Sequence, residues 1–102
     1  MPFERWGYQF EGAYTSCEYL RSRSGVYVIW CENEGKWAVL DVGETDDVKK
    51  RVTNHDRADC WEDKCSGTIY YSAIYKPILQ QAERMQIEQR IRNLANPLCG
   101  KR

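Results

Sequence analysis

The chain has 102 residues, of which fifteen are Lys or Arg and fifteen are Asp or Glu, so its formal net charge is zero. A chain of this length predicts one domain, residues 1–102, with a single modest core. The charge balance argues against tight non-specific binding to nucleic acid through overall basic charge, and leaves only a local patch for that purpose. We find no signal peptide, transit peptide or membrane-length apolar run, so we expect a cytoplasmic protein with no membrane partner.

Cysteine is abundant, with five residues. An odd count without a secretion signal favours reduced thiols over a disulfide framework. The order His55, Cys60, Cys65, with Cys99 as a fourth ligand, is spaced more loosely than familiar zinc ribbons. We therefore expect buried thiols rather than a structural Zn²⁺ ion.

The first 24 residues mix aromatic and charged side chains without a clean period. We interpret residues 1–24 as an arm that packs across a core formed by residues 25–102, with one helical turn near Ser16–Leu20.

Two β-rich runs follow and predict a hairpin. The runs GVYVIWC (Gly25–Cys31) and KWAVLDV (Lys36–Val42) flank the turn sequence ENEG. If residues 33–35 form the tip, Tyr27 lies directly opposite Asp41.

A short capped helix is predicted after the hairpin. Gly43 ends the second strand, and residues 45–47 offer N-cap side chains for a helix over Asp47–Asn54. Val48 and Val52 fall on one stripe of this helix, which we expect to be buried. Arg51 and His55 run beside that stripe, at its rim.

The remainder predicts a loop, a strand and a long helix. Residues 54–67 indicate a loop with a short turn, and Thr68–Tyr75 alternates as a third strand. Pro77 opens a helix that reaches about Ala95 and stops before Pro97. Its apolar residues fall on two opposed faces, which predicts coverage on both sides or a later helix start: Ile78, Ala82 and Met85 against Ile87, Ile91 and Leu94. The expected fold class is α+β, an α/β sandwich with a small, mainly antiparallel three-stranded sheet flanked by helices.

The ordered set of motifs resembles the GIY-YIG nuclease superfamily. The matching pieces are Gly-Val-Tyr at 25–27, Asp-Val-Gly at 41–43, then Arg51, His55 and Glu88. The likeness spans residues 25 to about 100. No single piece is specific, because each occurs often by chance, and the order and spacing carry the resemblance.

The resemblance implies a role for each matching residue. Tyr27 would be the general base or would orient the attacking water, and Arg51 would clamp the phosphate and favour ionisation of that phenol. Glu88 would be the single protein ligand of one Mg²⁺ or Mn²⁺ ion. His55 would assist proton transfer or hold the phosphate. Gly25 and Gly43 would mark structural turns, and further substrate contacts would come from Lys49, Lys50, Arg84 and Arg92.

Two positions depart from the family pattern. Asp41 stands where the second motif has its tyrosine, and Gly100 stands where an asparagine usually follows Pro97. Asp41 would act as a second carboxylate near the metal, or as a base with a raised pKa, unless the chemistry has been lost.

Two functions follow from the resemblance. The first is a metal-dependent endonuclease that hydrolyses DNA or RNA, with specificity supplied by substrate shape, by a partner protein or by a homodimer. The alternative is a catalytically altered module on the same fold that binds nucleic acid or a protein without cleavage.

Overall fold

A computed structural model describes residues 2–75 and 80–100. Within them lie five strands and three α-helices, in chain order β1 (Phe3–Arg5), β2 (Tyr8–Tyr14), β3 (Gly25–Asn33), β4 (Lys36–Thr45), α1 (Val48–Thr53), α2 (Ala58–Lys64), β5 (Thr68–Ile74) and α3 (Gln81–Ala95). The α+β class is confirmed. None of these helices has the length and apolar character needed to cross a membrane.

The sheet is antiparallel and has the order β1-β2-β5-β3-β4. The prediction of three strands was wrong because the amino-terminal arm contributes two more. Trp6 and Gly7 both have positive φ, as a two-residue turn of the type I′ class requires, and this turn folds β1 back on β2. The predicted helical turn is present as a 3-10 turn over Cys17–Tyr19.

The register of the β3–β4 hairpin differs from the expected one. Its tip is a two-residue turn formed by Glu34 and Gly35, both at positive φ. An irregularity in the pairing after Ile29 then shifts the register by a further residue, so Tyr27 faces Gly43 and Asp41 faces Ile29. The prediction that Tyr27 lies opposite Asp41 was therefore wrong, although both side chains belong to the same face of the sheet.

Two core clusters cover the two faces of the sheet. The α1/α2 face carries Tyr27, Ile29 and Leu40 and packs against Val52 and Trp61 of the two short helices. The α3 face carries a second set, which packs against Ile91 and the amino-terminal hairpin: Phe10, Val26, Val28, Trp30, Val42 and Ile74.

Helix α1 matches its prediction closely, whereas α2 was interpreted as loop. Asp47 caps α1 by accepting a hydrogen bond from the Lys50 N–H, and Val48 and Val52 are buried as expected. Residues 58–64 form a helix although no side chain caps their start, because Trp61 enters the core and anchors the segment.

Helix α3 begins at Gln81 within the described residues, and the predicted start at Pro77 lies outside them. Met85 and Leu94 are about half exposed, so the helix is not covered on both sides. Its buried stripe is largely charged and consists of Arg84, Glu88, Ile91 and Arg92. A pattern search based on apolar residues misses such a stripe.

Four of the five cysteines are paired. Cys31 bonds to Cys65 and Cys60 bonds to Cys99, which leaves Cys17 free. The prediction of reduced thiols was wrong, because the fold brings cysteines 34 and 39 residues apart in sequence to Cα separations of 5.6 and 6.1 Å.

Candidate active site

The residues singled out from the sequence come from both sides of the sheet. One group lies at one end of the α1/α2 face, and the other belongs to α3: Tyr27, Asp41, Arg51 and His55, against Arg84, Glu88 and Arg92. Tyr27 stands on β3, an interior strand, and is only 1% exposed. Gly43 faces it on β4, and a Cβ atom there would lie 2.1 Å from the Tyr27 Oη. Glycine at 43 therefore leaves the space in which the tyrosine side chain crosses the neighbouring strand.

Neither predicted turn glycine lies in a turn. Gly43 is inside β4 and Gly25 is the first residue of β3. A Cβ atom at Gly25 would meet the backbone carbonyl oxygen of Ile74 at 2.3 Å, so this glycine allows close pairing with β5. Both glycines serve close approach rather than a change of chain direction.

Tyr27 and His55 form a buried hydrogen-bonded pair. The Tyr27 Oη and the His55 Nε2 are 2.6 Å apart, and the two rings meet edge to face. The backbone N–H of Arg57 donates to the His55 Nδ1 at 3.0 Å. In a neutral imidazole this leaves the proton on Nε2, so His55 donates to the tyrosine oxygen and leaves the phenol proton free for another acceptor.

Burial decides the protonation of this pair. Burial, helped by Asp41 and partly opposed by Arg51 and Arg57, raises the pKa of Tyr27 to about 12. Burial, together with the positive charge of Arg51, lowers the pKa of His55 to about 4. At neutral pH the pair is therefore a neutral phenol and a neutral imidazole.

Asp41 is the centre of a hydrogen-bond network on the same face. It is fully buried, and its two carboxylate oxygens accept five hydrogen bonds. The donors are the Val42 N–H, the Arg57 Nε and Nη2, the Trp61 Nε1 and the Arg92 Nη2, at 2.7 to 3.2 Å. Since a carboxylate offers about four lone-pair directions, this set saturates it. Asp41 positions its neighbours and has no open direction for a metal ion or a reacting proton.

Arg92 reaches from α3 around the edge strand to this carboxylate. Besides Asp41, it donates to the carbonyl oxygens of Val42 and Gly100, and its Nε lies 3.4 Å from the Glu88 Oε2. Its side chain is 8% exposed. Arg92 therefore joins the carboxyl-terminal segment, Asp41 and Glu88, and its guanidinium contacts protein rather than solvent.

The other predicted cations differ in their access to solvent. Arg84 is buried beside Glu44 at 3.1 Å. Arg51 keeps 39% of its side chain exposed while its Nη2 lies 3.1 Å from the Asp56 Oδ1. Lys49 is half-buried and Lys50 is exposed. Arg51 and Lys50 therefore present the accessible positive charge of this end of the molecule.

A surface depression of about 310 Å³ lies beside these two cations. Its wall is formed by the end of β4 and by α1, through Thr45, Asp46, Asp47, Lys50, Arg51 and Asn54. Arg51 links this depression to the buried pair beneath it, because its charge acts on both Tyr27 and His55. The depression is thus the solvent-facing side of the candidate site.

The site offers few ligands for the metal ion that the resemblance implies. Within residues 2–75 and 80–100, no group of three or more His, Cys, Asp or Glu side chains could hold one. Mg²⁺ is commonly bound through one or two carboxylates, with water and phosphate oxygens completing its shell. Glu88, 10% exposed and close enough to act on the pKa of Tyr27, fits that minimal arrangement. The alternative zinc ligands Cys60, Cys65 and Cys99 are occupied by disulfides.

Sequence reasoning assigned no role to Arg57 and Trp61. They lie four residues apart and point from the start and the body of α2 at the same carboxylate. Their i, i+4 spacing, with alanine at 58, was the available indication of a helix in this segment. This helix was not predicted because no side chain caps its start and because charged residues surround Trp61.

Comparison of the chain with protein-family models, with curated proteins and with solved structures gave no match.

Proposed function

We propose that this chain is a metal-dependent endonuclease of the GIY-YIG type, which hydrolyses phosphodiester bonds in DNA or RNA. The observation that carries the proposal is the 2.6 Å hydrogen bond between the Tyr27 Oη and the His55 Nε2, with Arg51 and Glu88 both acting on the tyrosine. These four residues come from β3, the α1 region and α3 in the order that the resemblance requires. The fold therefore brings side chains that are far apart in sequence within hydrogen-bonding or electrostatic reach of one phenol.

In this mechanism Tyr27 orients the attacking water rather than removing its proton, which would pass to a phosphate oxygen and on to the leaving oxygen as the P–O bond to that oxygen breaks. A phenol whose pKa is raised to about 12 stays protonated at neutral pH, so it acts as a hydrogen-bond donor. His55 fixes the phenol oxygen by donating to it, and the Arg57 N–H holds the imidazole in the tautomer that does so. The pair therefore supplies a rigid, neutral donor beside the phosphate.

Arg51 provides the positive charge at the scissile phosphate. Its planar guanidinium can form two parallel hydrogen bonds to phosphate oxygens once it exchanges the exposed Asp56 for substrate. Glu88 would hold one Mg²⁺ or Mn²⁺ ion, which when bound neutralises charge on the phosphate oxygens. Asp41 supports the site from below by holding Arg57 and Arg92.

A second candidate is a binding module that has lost cleavage, and two observations favour it. Tyr27 is almost fully covered, and Asp41, which replaces the family tyrosine, is saturated by protein donors. Nucleic acid would then contact Lys50 and Arg51 at the depression without hydrolysis, and binding would weaken with salt. Association with a partner protein or with a second copy stays a prediction for both candidates.

The cytoplasmic expectation stays a prediction, and the disulfides weigh against it. Disulfides persist in oxidising compartments and are rare where glutathione and thioredoxin keep thiols reduced. Two bonds that join α2 to β3 and to the carboxyl-terminal segment favour an oxidising compartment for this protein.

The test is hydrolysis of labelled single- and double-stranded DNA and RNA in Mg²⁺ or Mn²⁺ by the wild type, Arg51→Gln and Tyr27→Phe. Loss of Arg51 should reduce the cleavage rate by about 10²–10³-fold, the usual cost of one charge-stabilising donor. Arg23→Gln, an exposed arginine outside the site, is the matched control and should cleave like the wild type. Salt-sensitive binding by the wild type that Arg51→Gln weakens, without cleavage by any of the proteins, would select the second candidate. Cleavage that Arg51→Gln leaves intact would refute this site.

A further inference from the structure

A second cavity lies on the α3 face, away from Tyr27 and His55. It has a volume of about 370 Å³, and its lining combines three aromatic side chains, from β1, β3 and β4, with Pro2, Arg5 and the β2 residues Gly12 and Ala13. A smaller hollow of about 230 Å³ adjoins it, and the two share Arg5, Trp30 and Trp37. The larger volume falls at the lower end of the roughly 300–1,000 Å³ typical of small-molecule sites.

The aromatic wall of this cavity is rigid on one side and open on the other. Trp30 is buried, and its Nε1 donates to the Ser72 Oγ at 2.8 Å, which fixes its indole. Trp37 is 49% exposed and packs against Trp30 and Tyr70, with ring centroids 6.2 and 4.8 Å away. An exposed tryptophan held by two rings offers a ready-made stacking surface for another flat group.

Arg5 supplies the charge of the cavity. Its guanidinium carbon lies 4.9 Å from the centre of the Trp6 ring and 5.6 Å from that of Trp30. Among the described lining residues of both hollows it is the one charged side chain. No carboxylate in residues 2–75 and 80–100 forms an ion pair with it.

This combination selects the ligand by charge and by shape. Because Arg5 already lies over the Trp6 and Trp30 rings, a cationic ligand would meet like charge at the faces it would otherwise use. The unpaired guanidinium instead favours an anion with oxygen acceptors, such as a phosphate or a carboxylate. A flat ring on Trp37 and an anionic group at Arg5 would satisfy both features at once.

We propose that the cavity lined by Arg5, Trp30 and Trp37 binds a ligand that carries a flat aromatic ring and an attached anionic group. A nucleoside phosphate and an aromatic carboxylate share this chemistry. The site lies on the face of the sheet opposite to the Tyr27–His55 pair and uses none of its residues. It is therefore independent of the proposed hydrolysis.

The test is a titration of ¹⁵N-labelled protein, followed through its four tryptophan indole N–H signals. The probes are adenosine 5′-monophosphate, indole-3-carboxylate, adenosine and inorganic phosphate. We expect the signals of Trp37 and Trp30 to shift saturably with at least one of the two ring-bearing anions. Trp61, buried on the other face beside Asp41, should not move. Adenosine and phosphate should each bind at least about tenfold more weakly than that anion.

Variants decide which group supplies the recognition. Arg5→Gln and Trp37→Leu should each weaken binding of the ring-bearing anion about tenfold or more, the scale of losing one charge-assisted contact or one stacking surface. The exposed residues Arg23 and Tyr19 provide matched controls, Arg23→Gln and Tyr19→Leu, with unchanged affinity. The Arg5 and Trp37 side chains are exposed, so the Arg5→Gln and Trp37→Leu variants should keep their fold. An unchanged Trp61 signal verifies this.

Each outcome is decisive. Arg5-dependent binding of the nucleotide alone, or of the aromatic carboxylate alone, supports the site and identifies the source of the ligand. Equal affinity for adenosine and its phosphate, or affinity that Arg5→Gln leaves unchanged, overturns the anion requirement. Absence of any shift at Trp37 with all four probes overturns the site.

Discussion

Asp41 is the residue whose surroundings differ most from what its place in the sequence implies. Its motif position predicts a reacting group, yet its oxygens are filled by Arg57, Trp61 and Arg92. Three segments that are distant in sequence, β4, α2 and α3, converge on this one buried charge. The network around Asp41 should therefore matter most for stability, since removing one partner of a buried charged network leaves the others uncompensated.

Replacement of Asp41 by asparagine should destabilise the protein strongly. The variant removes the negative charge from between two arginines and turns one acceptor oxygen into a donor that faces other donors. We expect a loss of about 3–5 kcal/mol in the free energy of unfolding, measured by urea denaturation at neutral pH. Asp56→Asn is the control, because that carboxylate is exposed and pairs with Arg51 at the surface; it should change stability little. Equal effects of the two changes would contradict the central place given to Asp41.

His55 should make stability depend on pH in mildly acidic solution. Its pKa is about 4 in the folded protein and about 6.5 when unfolded, so between these values the unfolded chain binds the extra proton. The stabilisation is therefore complete above about pH 6.5 and is lost as the pH falls through about 4. Because the His55 side chain is fully buried, this pKa difference corresponds to roughly 3 kcal/mol from this group.

Urea denaturation of the wild type and of His55→Gln at several pH values between 7 and 4 measures that contribution. The wild type should lose more stability over this interval than the variant, because carboxylate titration is common to both. Parallel pH profiles would show that the imidazole is not held neutral by its surroundings.

At the scale of single residues, sequence reasoning identified the types that meet at the site but not all of their contacts. Tyr27, Arg51, His55 and Glu88 follow from a motif order that is visible in one dimension. The partners of Asp41 do not, because hydrogen bonding across β4, α2 and α3 depends on how the elements pack. The hairpin register was also missed, since it depends on positive φ at Glu34 and on an irregularity after Ile29 that alternation does not reveal.

At the scale of elements, α2 is the part that most depends on covalent ties. It is one short helix without a side-chain cap, and such a helix has little stability of its own. Cys60 within it bonds to Cys99, and Cys65 at its end bonds to Cys31 of the interior strand β3. The disulfides therefore hold in place the helix that carries Arg57 and Trp61 to Asp41.

Loss of the Cys60–Cys99 bond should loosen this arrangement. We expect the double variant Cys60→Ser, Cys99→Ser to lose about 2–4 kcal/mol in the free energy of unfolding, because the bond closes a long loop in the unfolded chain. Cys17→Ser is the control, since Cys17 is the free cysteine, and it should alter stability little.

The pairing itself can be checked by peptide mapping of the non-reduced protein. We expect linked peptides for Cys31–Cys65 and Cys60–Cys99, and alkylation at Cys17 alone. Alkylation of all five cysteines in natively folded protein would contradict the pairing and would restore the expectation of reduced thiols.

Strands and helices with strong local patterns were predicted well, and those stabilised by distant contacts were not. Val48 and Val52 place α1 on the core, as expected from their spacing. The amino-terminal hairpin was not predicted because its turn is Trp-Gly rather than a common turn pair, and because its strands are short and aromatic. The buried charged stripe of α3 was not predicted because apolar periodicity is the usual guide to a buried face.

At the scale of the whole molecule, one five-stranded sheet separates two distinct surfaces. The α1/α2 face holds the Tyr27–His55 pair, with Arg51 at a polar depression, whereas the α3 face holds an aromatic cavity with Arg5. The neutral net charge of the chain therefore conceals accessible positive charge on each face, from Lys50 and Arg51 on one and from Arg5 on the other. The overall class was predictable because hairpin, short helix, strand and long helix each leave a sequence pattern. The placement of the second surface was not predictable, since it requires β1 to fold back over Trp30.

The most direct measurement is metal-dependent cleavage by the wild type beside Glu88→Gln, using labelled single- and double-stranded DNA and RNA with Mg²⁺, with Mn²⁺ and with a chelator. The proposed function predicts cleavage by the wild type only when metal is present, and a loss of about 10²-fold or more in the variant, with its fold verified by the tryptophan spectrum. Absence of cleavage of every substrate by the folded wild type, or cleavage that neither the chelator nor Glu88→Gln reduces, would contradict it.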